Sequence, residues 1–169
     1  MDDLGLEQVK GRVVSPLKGL SVACHPGCHI ISPVNIMAFD DPFDPVTLDK
    51  MVSVLGATPL DYDLKTLCCG WTLTNYGTRQ SATSILKAKL ESMVKSGTDC
   101  ITVICPQCFH QFDRGQIRVN RNSDPGYRLP VLFYLQLLGL SLGYSLDEIH
   151  LNRHLIKDPA FEEKLRRLR

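Results

Sequence analysis

The stretch Cys100-Ile101-Thr102-Val103-Ile104-Cys105-Pro106-Gln107-Cys108 combines the clearest strand signal of the chain with the start of a helix. Its first five residues form a short, β-branched, apolar run, which is typical of a buried strand. Pro106 suits the first turn of a helix, where a missing N–H group costs nothing. We therefore predict a strand over 100–104 that passes directly into a helix beginning at Pro106.

Strands and helices alternate along the rest of the chain. Strands are predicted at 20–24, 57–62 and 129–133, and helices at 46–55, 72–96, 135–142 and 161–169. The segment from Pro26 to Pro45 is rich in Pro, Gly and Asp and is predicted to be a loop. This alternation is typical of an α/β fold with a mainly parallel sheet and flanking helices. Ligands of such sheets lie beyond the carboxyl ends of the strands.

The composition fits one compact domain over residues 1–169, with a leading helix or arm at 1–19. Hydrophobic residues make up 44% and charged residues 22% of the 169 positions, which excludes a disordered chain. The net charge of +1 gives no overall field for nucleic acid, so we expect no nucleic-acid partner. No apolar run could span a bilayer, and no export signal opens the sequence. We therefore expect a cytoplasmic protein.

Seven cysteines are many for a chain of this size, and five of them form a spaced pattern. The pattern is Cys28, then Cys68-Cys69-Gly70, then Cys105-x-x-Cys108. In a reducing compartment such spacing indicates metal binding or redox chemistry rather than disulfides. The other two, Cys24 and Cys100, are expected to pack as small apolar residues, with a sixth ligand as the alternative for Cys24.

Each part of the pattern has a physical reason. Cys105 and Cys108 lie at a strand-to-helix turn, where they direct two sulfurs toward one point and helix N–H groups favour thiolates. Cys68 and Cys69 are adjacent, so they are expected to address two metals or two corners of a cluster. Gly70 is expected to let the backbone pass close to a bulky inorganic core.

The number of cysteines leaves the metal open at this stage. A mononuclear zinc site has four ligands, and a cubane [4Fe-4S] cluster takes one thiolate at each of four irons. Five cysteines exceed both numbers. Either one of them is a bystander, or the cluster is not a simple cubane and one sulfur bridges.

Polar and aromatic residues flank the cysteines. His25 and His29 bracket Cys28 and could hydrogen-bond a cluster sulfur or deliver a proton, or they could be ordinary loop residues. Trp71 is expected to screen the cluster from water, with a wall for substrate as the alternative. The basic run Arg114, Arg118, Arg121 and Arg128 is either a solvated face or a docking surface for an acidic electron carrier.

The pattern Cys28…Cys68-Cys69-Gly70…Cys105-x-x-Cys108 resembles the cysteine-rich CCG domain found in the B subunit of heterodisulfide reductases. The same domain occurs in thiol:fumarate reductases and in some succinate dehydrogenases. The similarity covers roughly residues 6–158 and fits the second half of that B subunit. The flanking segments that share it include Gly27-Cys28-His29, Phe39-Asp40-Asp41-Pro42, Leu55-Gly56-Ala57, Pro130-Val131-Leu132, Gln136-Leu137-Leu138-Gly139 and Arg153-His154-Leu155.

The resemblance implies that all five cysteines of the pattern hold a noncubane [4Fe-4S] cluster. It further implies reduction of a small disulfide, such as coenzyme M–coenzyme B, by an oxidoreductase that is active only as a complex. Its electrons would come through a ferredoxin-like C subunit together with a flavoprotein or membrane subunit. The location would then be cytoplasmic or peripheral to a membrane complex. The alternatives are a non-catalytic iron–sulfur subunit of a dehydrogenase and a structural zinc module.

Two departures from the family pattern stand out. The family subunit carries two CCG motifs and this chain carries one, so the other half is expected in another polypeptide, in a second copy of this chain or in an upstream region. Trp71 follows Gly70 where the family commonly has a small residue, which affects the shape expected of the site.

Overall fold

A computed structural model describes residues 5–168 of the chain. Within these residues four strands form one sheet, and they are β1 (Ser21–His25), β2 (Thr58–Leu60), β3 (Cys100–Val103) and β4 (Val131–Phe133). All three pairings are parallel, in the order β2-β1-β3-β4. The prediction of an α/β fold with a parallel sheet and flanking helices is thereby confirmed.

Helices connect and cover these strands. They are α1 (Leu6–Lys10), α2 (Cys28–Ile31), α3 (Val34–Met37), α4 (Thr47–Val54), α5 (Trp71–Tyr76), α6 (Arg79–Lys95), α7 (Pro106–Asn120), α8 (Tyr134–Ser141) and α9 (Pro159–Arg167), with a 3-10 turn at Leu151–Arg153. None of the helices in this part of the chain is long and apolar enough to cross a membrane.

Alternate strand residues divide the core into two layers. Val22, Cys24 and Cys100 face one layer, which is completed by α4, α8 and α9. Ala23 and Ile101 face the other layer, which is completed by α6 and α7. Cys24 and Cys100 are fully buried and belong to the hydrophobic core, as expected of packing residues. Burial raises the pKa of both thiols.

Two predictions of local structure were wrong. The helix predicted over 72–96 is divided into α5 and α6, because Gly77 ends α5 and Thr78 has an extended backbone before α6 begins. The loop predicted from Pro26 to Pro45 contains the short helices α2 and α3. Gly27, at φ +82°, turns the chain sharply enough after β1 for α2 to begin at Cys28.

The leading segment is partly helical. Helix α1 covers five residues of it, and the following arm reaches β1 without further regular structure. The first four residues of the predicted leading helix or arm, and Arg169 at the end of the predicted last helix, lie outside the described residues.

Candidate metal centre

The five cysteines of the pattern line one cleft of about 280 Å³. Cys28 lies just after β1, and Cys105 lies just after β3, so neighbouring parallel strands deliver two of the three cysteine groups. Cys68 and Cys69 reach the same cleft from the loop that joins β2 to α5. All seven cysteines are free thiols.

The cleft has a deep pair of sulfurs and a more exposed group at its mouth. Cys69 and Cys108 are each only 3% exposed, whereas Cys28, Cys68 and Cys105 are half-buried. The sulfurs of the deep pair and a ring nitrogen of His25 all lie within 4.8 Å of one another. Water therefore reaches the three outer thiols more easily than the deep pair.

The Cys108 thiol, His25 and a backbone N–H group favour a negative charge at Cys69. A hydrogen bond from the Cys108 thiol lowers the pKa of Cys69 to about 4, and His25 and the N–H group of Trp71 act in the same direction. Donating that hydrogen bond, together with burial, raises the pKa of Cys108. The N–H group of Gly70 donates to the Cys68 sulfur at 3.4 Å. The chain that follows Cys69 thus directs N–H groups at both adjacent cysteines.

The two histidines around Cys28 have different surroundings. His25, the last residue of β1, is 2% exposed and packs edge-on against Phe112, with ring centroids 5.0 Å apart. Burial lowers the pKa of its ring, although the neighbouring Cys69 acts to raise it. His29 is exposed at the mouth of the cleft. A neutral ring beside two thiols suits His25 to hydrogen-bond a sulfur or to ligate a metal.

Trp71 forms part of the wall of the cleft, at the first position of α5. Its ring packs edge-on against His110 of α7, with centroids 4.7 Å apart. The indole is partly exposed, so it can cover one side of a bound group while keeping contact with α7. This position is compatible with the predicted screening role and with the alternative role as a wall for substrate.

Both glycines beside the cysteines have a positive φ, but an added Cβ would meet different neighbours at the two positions. Gly70 has φ +85°, and an added Cβ would lie 3.3 Å from the Ala82 carbonyl oxygen and 3.4 Å from Nε2 of Gln111. The backbone of Gly70 therefore lies close to α6 and α7. The sequence had predicted a close approach to an inorganic core instead. At Gly27, by contrast, an added Cβ would face Cys105 and the Cys108 sulfur, which lies 3.8 Å away.

Lys89 supports the loop that leads into this site, and the sequence predicted no role for it. It lies in α6, is fully buried, and donates to the carbonyl oxygens of the loop just before Cys68. One signal was available, because Lys89 shares the apolar face of Leu86, Leu90 and Met93 at helical spacing. A lysine on that face, read alone, is more simply interpreted as a residue that reaches solvent.

A second, basic cleft of about 540 Å³ lies between the start of α6 and the end of α7. Its cations are Arg79, Lys87, Arg118 and Arg121. Of the predicted basic run, Arg118 and Arg121 line this cleft, while Arg114 and Arg128 are not among the residues that form it. Burial, and then repulsion from Arg79, Arg114 and Arg121, lowers the pKa of Arg118.

A buried glutamine connects this basic cleft to the turn that carries the cysteines. An Arg118 nitrogen donates to Oε1 of Gln111 at 3.0 Å, and Thr74 donates to the same oxygen at 3.1 Å. The Thr74 hydroxyl is also 3.3 Å from the Gly70 carbonyl oxygen. Arg118 is therefore separated from Gly70 by two side chains.

A family model for the CCG cysteine-rich domain matches residues 22–113. The chain is similar to the B subunit of the ferredoxin:CoB-CoM heterodisulfide reductase of Methanosarcina mazei, with 39% identity over 164 residues, covering 96% of this chain and 54% of the relative.

Two further relatives have other names. The 8-methylmenaquinol:fumarate reductase membrane anchor subunit of Wolinella succinogenes is 31% identical over 151 residues, covering 89% of this chain and 53% of the relative. A protein of Archaeoglobus profundus, named as similar to the B subunit of heterodisulfide reductase, is 29% identical over 150 residues. The match covers 87% of this chain and 50% of the relative. The chain thus spans about half the length of the curated relatives it matches.

Proposed function

Because the chain belongs to the family of CCG cysteine-rich domains, as its cysteine spacing predicts, we propose that it is a single such domain serving as the B-type subunit of a heterodisulfide reductase-like complex. It would hold a noncubane [4Fe-4S] cluster through all five cysteines of the pattern. The observation that carries the proposal is that five thiols line one cleft. They outnumber the four ligands of a zinc site, and the cleft far exceeds the roughly 10–15 Å³ that holds one water.

The proposed reaction reduces a small disulfide, such as coenzyme M–coenzyme B, to two thiols. Two electrons from a reduced partner and two protons break the S–S bond, and each sulfur leaves as a thiol. When bound, the cluster would supply the electrons one at a time. The chain itself would hold five thiolates, shield the two deepest from water, and place the neutral ring of His25 beside them.

Elemental analysis of anaerobically purified protein tests the proposal. We expect a brown protein with about four irons per chain, and acid-labile sulfide, because each iron of a [4Fe-4S] cluster needs a ligand that the cleft can supply. Zinc bound in the absence of iron and sulfide would contradict the proposal. That result would favour a structural zinc site, for which His25, Cys69 and Cys108 provide three converging ligands.

A second candidate function is electron transfer without catalysis, in a dehydrogenase or related complex. The similarity to a membrane anchor subunit of a fumarate reductase favours it, because that relative is named for a different reaction. A cluster that is reduced and reoxidised by partner proteins, in an assembled complex that never turns over a disulfide, would support this second function.

A second CCG domain is the partner we propose for the mouth of the cleft. The chain spans about half of its relatives, which leaves room in them for another domain of similar size. Several apolar side chains in the segment that follows Cys28 are exposed, and of these Met37 lines the cleft; they are Val34, Ile36, Met37, Phe39 and Phe43. Exposed apolar groups that are contiguous are typical of an interface. A separate polypeptide or a second copy of this chain would both satisfy this surface.

The basic cleft is the surface we propose for an acidic electron donor, such as a ferredoxin-like C subunit, which a flavoprotein or membrane subunit would reduce. No arginine of the cleft forms an ion pair within residues 5–168. Lys87 faces Glu91 only at 3.9 Å. An acidic partner would relieve the mutual repulsion of these cations, and Gln111 and Thr74 link the cleft to Gly70.

Reversing the charge of this cleft is expected to slow reduction by an acidic ferredoxin. In the variant Arg79→Glu/Arg121→Glu, we expect the rate at low salt to fall at least about tenfold, because steering by opposite charges is lost. The difference should shrink as salt screens the charges. Stopped-flow spectroscopy of the iron-loaded protein measures both effects.

The matched control reverses two exposed cations on helices of the other layer, in the variant Lys10→Glu/Lys50→Glu. It changes the net charge by the same amount but leaves the basic cleft intact. Equal slowing in both variants would indicate a general charge effect and would contradict docking at this cleft.

A further inference from the structure

Lys89 is a buried cation without a carboxylate partner in the part of the chain that the structure describes. Its side chain is fully buried, and no ion pair involves it. Its ammonium group donates to the carbonyl oxygens of Leu64, Lys65 and Leu67, at 3.1 Å for Lys65 and 2.6 Å for Leu67. It also lies 5.7 Å from the centre of the Tyr62 ring. Its donors are thus satisfied, but its charge is not balanced by an acid.

A buried ammonium is costly unless a negative charge lies nearby. Burial lowers the pKa of Lys89 to about 8, while the charges of Cys69, Cys68 and Cys108 act to raise it. The group therefore remains largely protonated at neutral pH. The negative charges that act on it belong to the cysteines of the cleft.

Lys89 also anchors the loop that presents two of these cysteines. The three carbonyl groups it binds occupy the four residues immediately before Cys68. Ser92, one turn further along α6, donates to the carbonyl oxygen of Asp63 in the same loop. The long helix α6 thus fixes the approach to Cys68 and Cys69 through side chains of one face.

We propose that Lys89 is a positioning residue with two roles, anchoring the Cys68-Cys69 loop and supplying the internal positive charge that balances the metal–thiolate group in the cleft. The proposal rests on the proposed function, since a metal–thiolate group carries the negative charge. A fixed positive charge stabilises the reduced state of such a group more than its oxidised state, because the reduced state is more negative. Lys89 therefore raises the reduction potential of the bound cluster.

Replacing Lys89 with methionine removes the charge and the donors but keeps an unbranched chain of similar length. In the iron-loaded Lys89→Met variant we expect the midpoint potential to shift to more negative values. We also expect a chelator to remove iron about tenfold faster, as is usual when a group supporting metal ligands is lost. Redox titration and iron release, followed by absorbance, measure the two effects.

Ser92→Ala is the matched control, because it loosens the same loop without changing the charge. It should speed iron release modestly and leave the potential unchanged. A native potential and a native release rate in Lys89→Met would overturn the proposal. If Lys89→Met does not fold, the variant Lys89→Gln keeps a hydrogen-bond donor but removes the charge. It should shift the midpoint potential in the same direction as Lys89→Met. An unshifted potential in Lys89→Gln would overturn the role in charge balance.

Amide hydrogen exchange of the metal-free protein separates this inference from the proposed function. We expect residues 63–69 to exchange faster in Lys89→Met than in the parent chain, because their carbonyl anchor is gone. Unchanged exchange would overturn the anchoring role whether or not iron binds. A parent chain that takes up no iron would instead contradict the proposed function, and with it the role in charge balance.

Discussion

Replacing Cys69 with serine is expected to abolish the native iron–sulfur spectrum while leaving the sheet folded. Cys69 is one of the two deepest thiols of the cleft, and its pKa of about 4 makes it a thiolate at neutral pH. A serine hydroxyl stays protonated there and is a poor ligand for iron. We expect most of the iron to be lost, with the remainder giving an altered paramagnetic signal.

Absorbance, iron content and paramagnetic resonance measure this loss, and circular dichroism checks the fold. Cys100→Ala is the matched control, since Cys100 is a fully buried cysteine in the other core layer. It should lower the free energy of unfolding slightly and retain a full complement of iron. A native spectrum in Cys69→Ser would exclude Cys69 as a ligand, and equal iron loss in the control would point to general destabilisation.

The convergence of the cysteines on one cleft was predictable in part, because some of its signals are local in the sequence. Cys105 and Cys108 lie at a strand-to-helix turn that residue types alone predict, and Cys28 follows a recognisable strand. Parallel strands bring such turns to the same edge of a sheet. The convergence of Cys68 and Cys69 on this edge depends on a loop without regular structure, so it followed only from the family resemblance.

The supporting residues were less predictable because their roles depend on tertiary contacts. The buried position of Lys89 becomes meaningful only when the carbonyl groups of Leu64, Lys65 and Leu67 are placed beside it. The basic cleft combines Arg79 with Arg118, which are distant in sequence and meet because α6 packs on α7. His25 and His29 look equivalent in the sequence, yet the end of β1 buries only His25.

Replacing Gly70 with alanine is expected to destabilise the fold and to reduce cluster binding together. Gly70 has φ +85°, a region that costs other residues about 1–2 kcal/mol. The new Cβ would also press on the Ala82 carbonyl group of α6 and the Gln111 side chain. We expect a total loss of about 2–4 kcal/mol in the free energy of unfolding, because overpacking adds to the backbone strain.

Gly97→Ala separates these two costs. Gly97 has a similar φ of +78°, but an added Cβ there would meet nothing within 4 Å. It should lose only the backbone component, about 1–2 kcal/mol, and keep its iron. Denaturant unfolding of the metal-free proteins and iron content per chain measure the difference.

The loss of iron follows from the position of Gly70 in the chain. Its own N–H group donates to the Cys68 sulfur, and the next N–H group, from Trp71, acts on Cys69. Any shift that relieves the contact with α6 therefore moves donors away from both sulfurs. Equal destabilisation of the two variants, with full iron in Gly70→Ala, would mean that the turn can move without disturbing the cysteines. A larger loss in Gly70→Ala alone, accompanied by missing iron, would show that packing of this turn against α6 and α7 determines where Cys68 and Cys69 point.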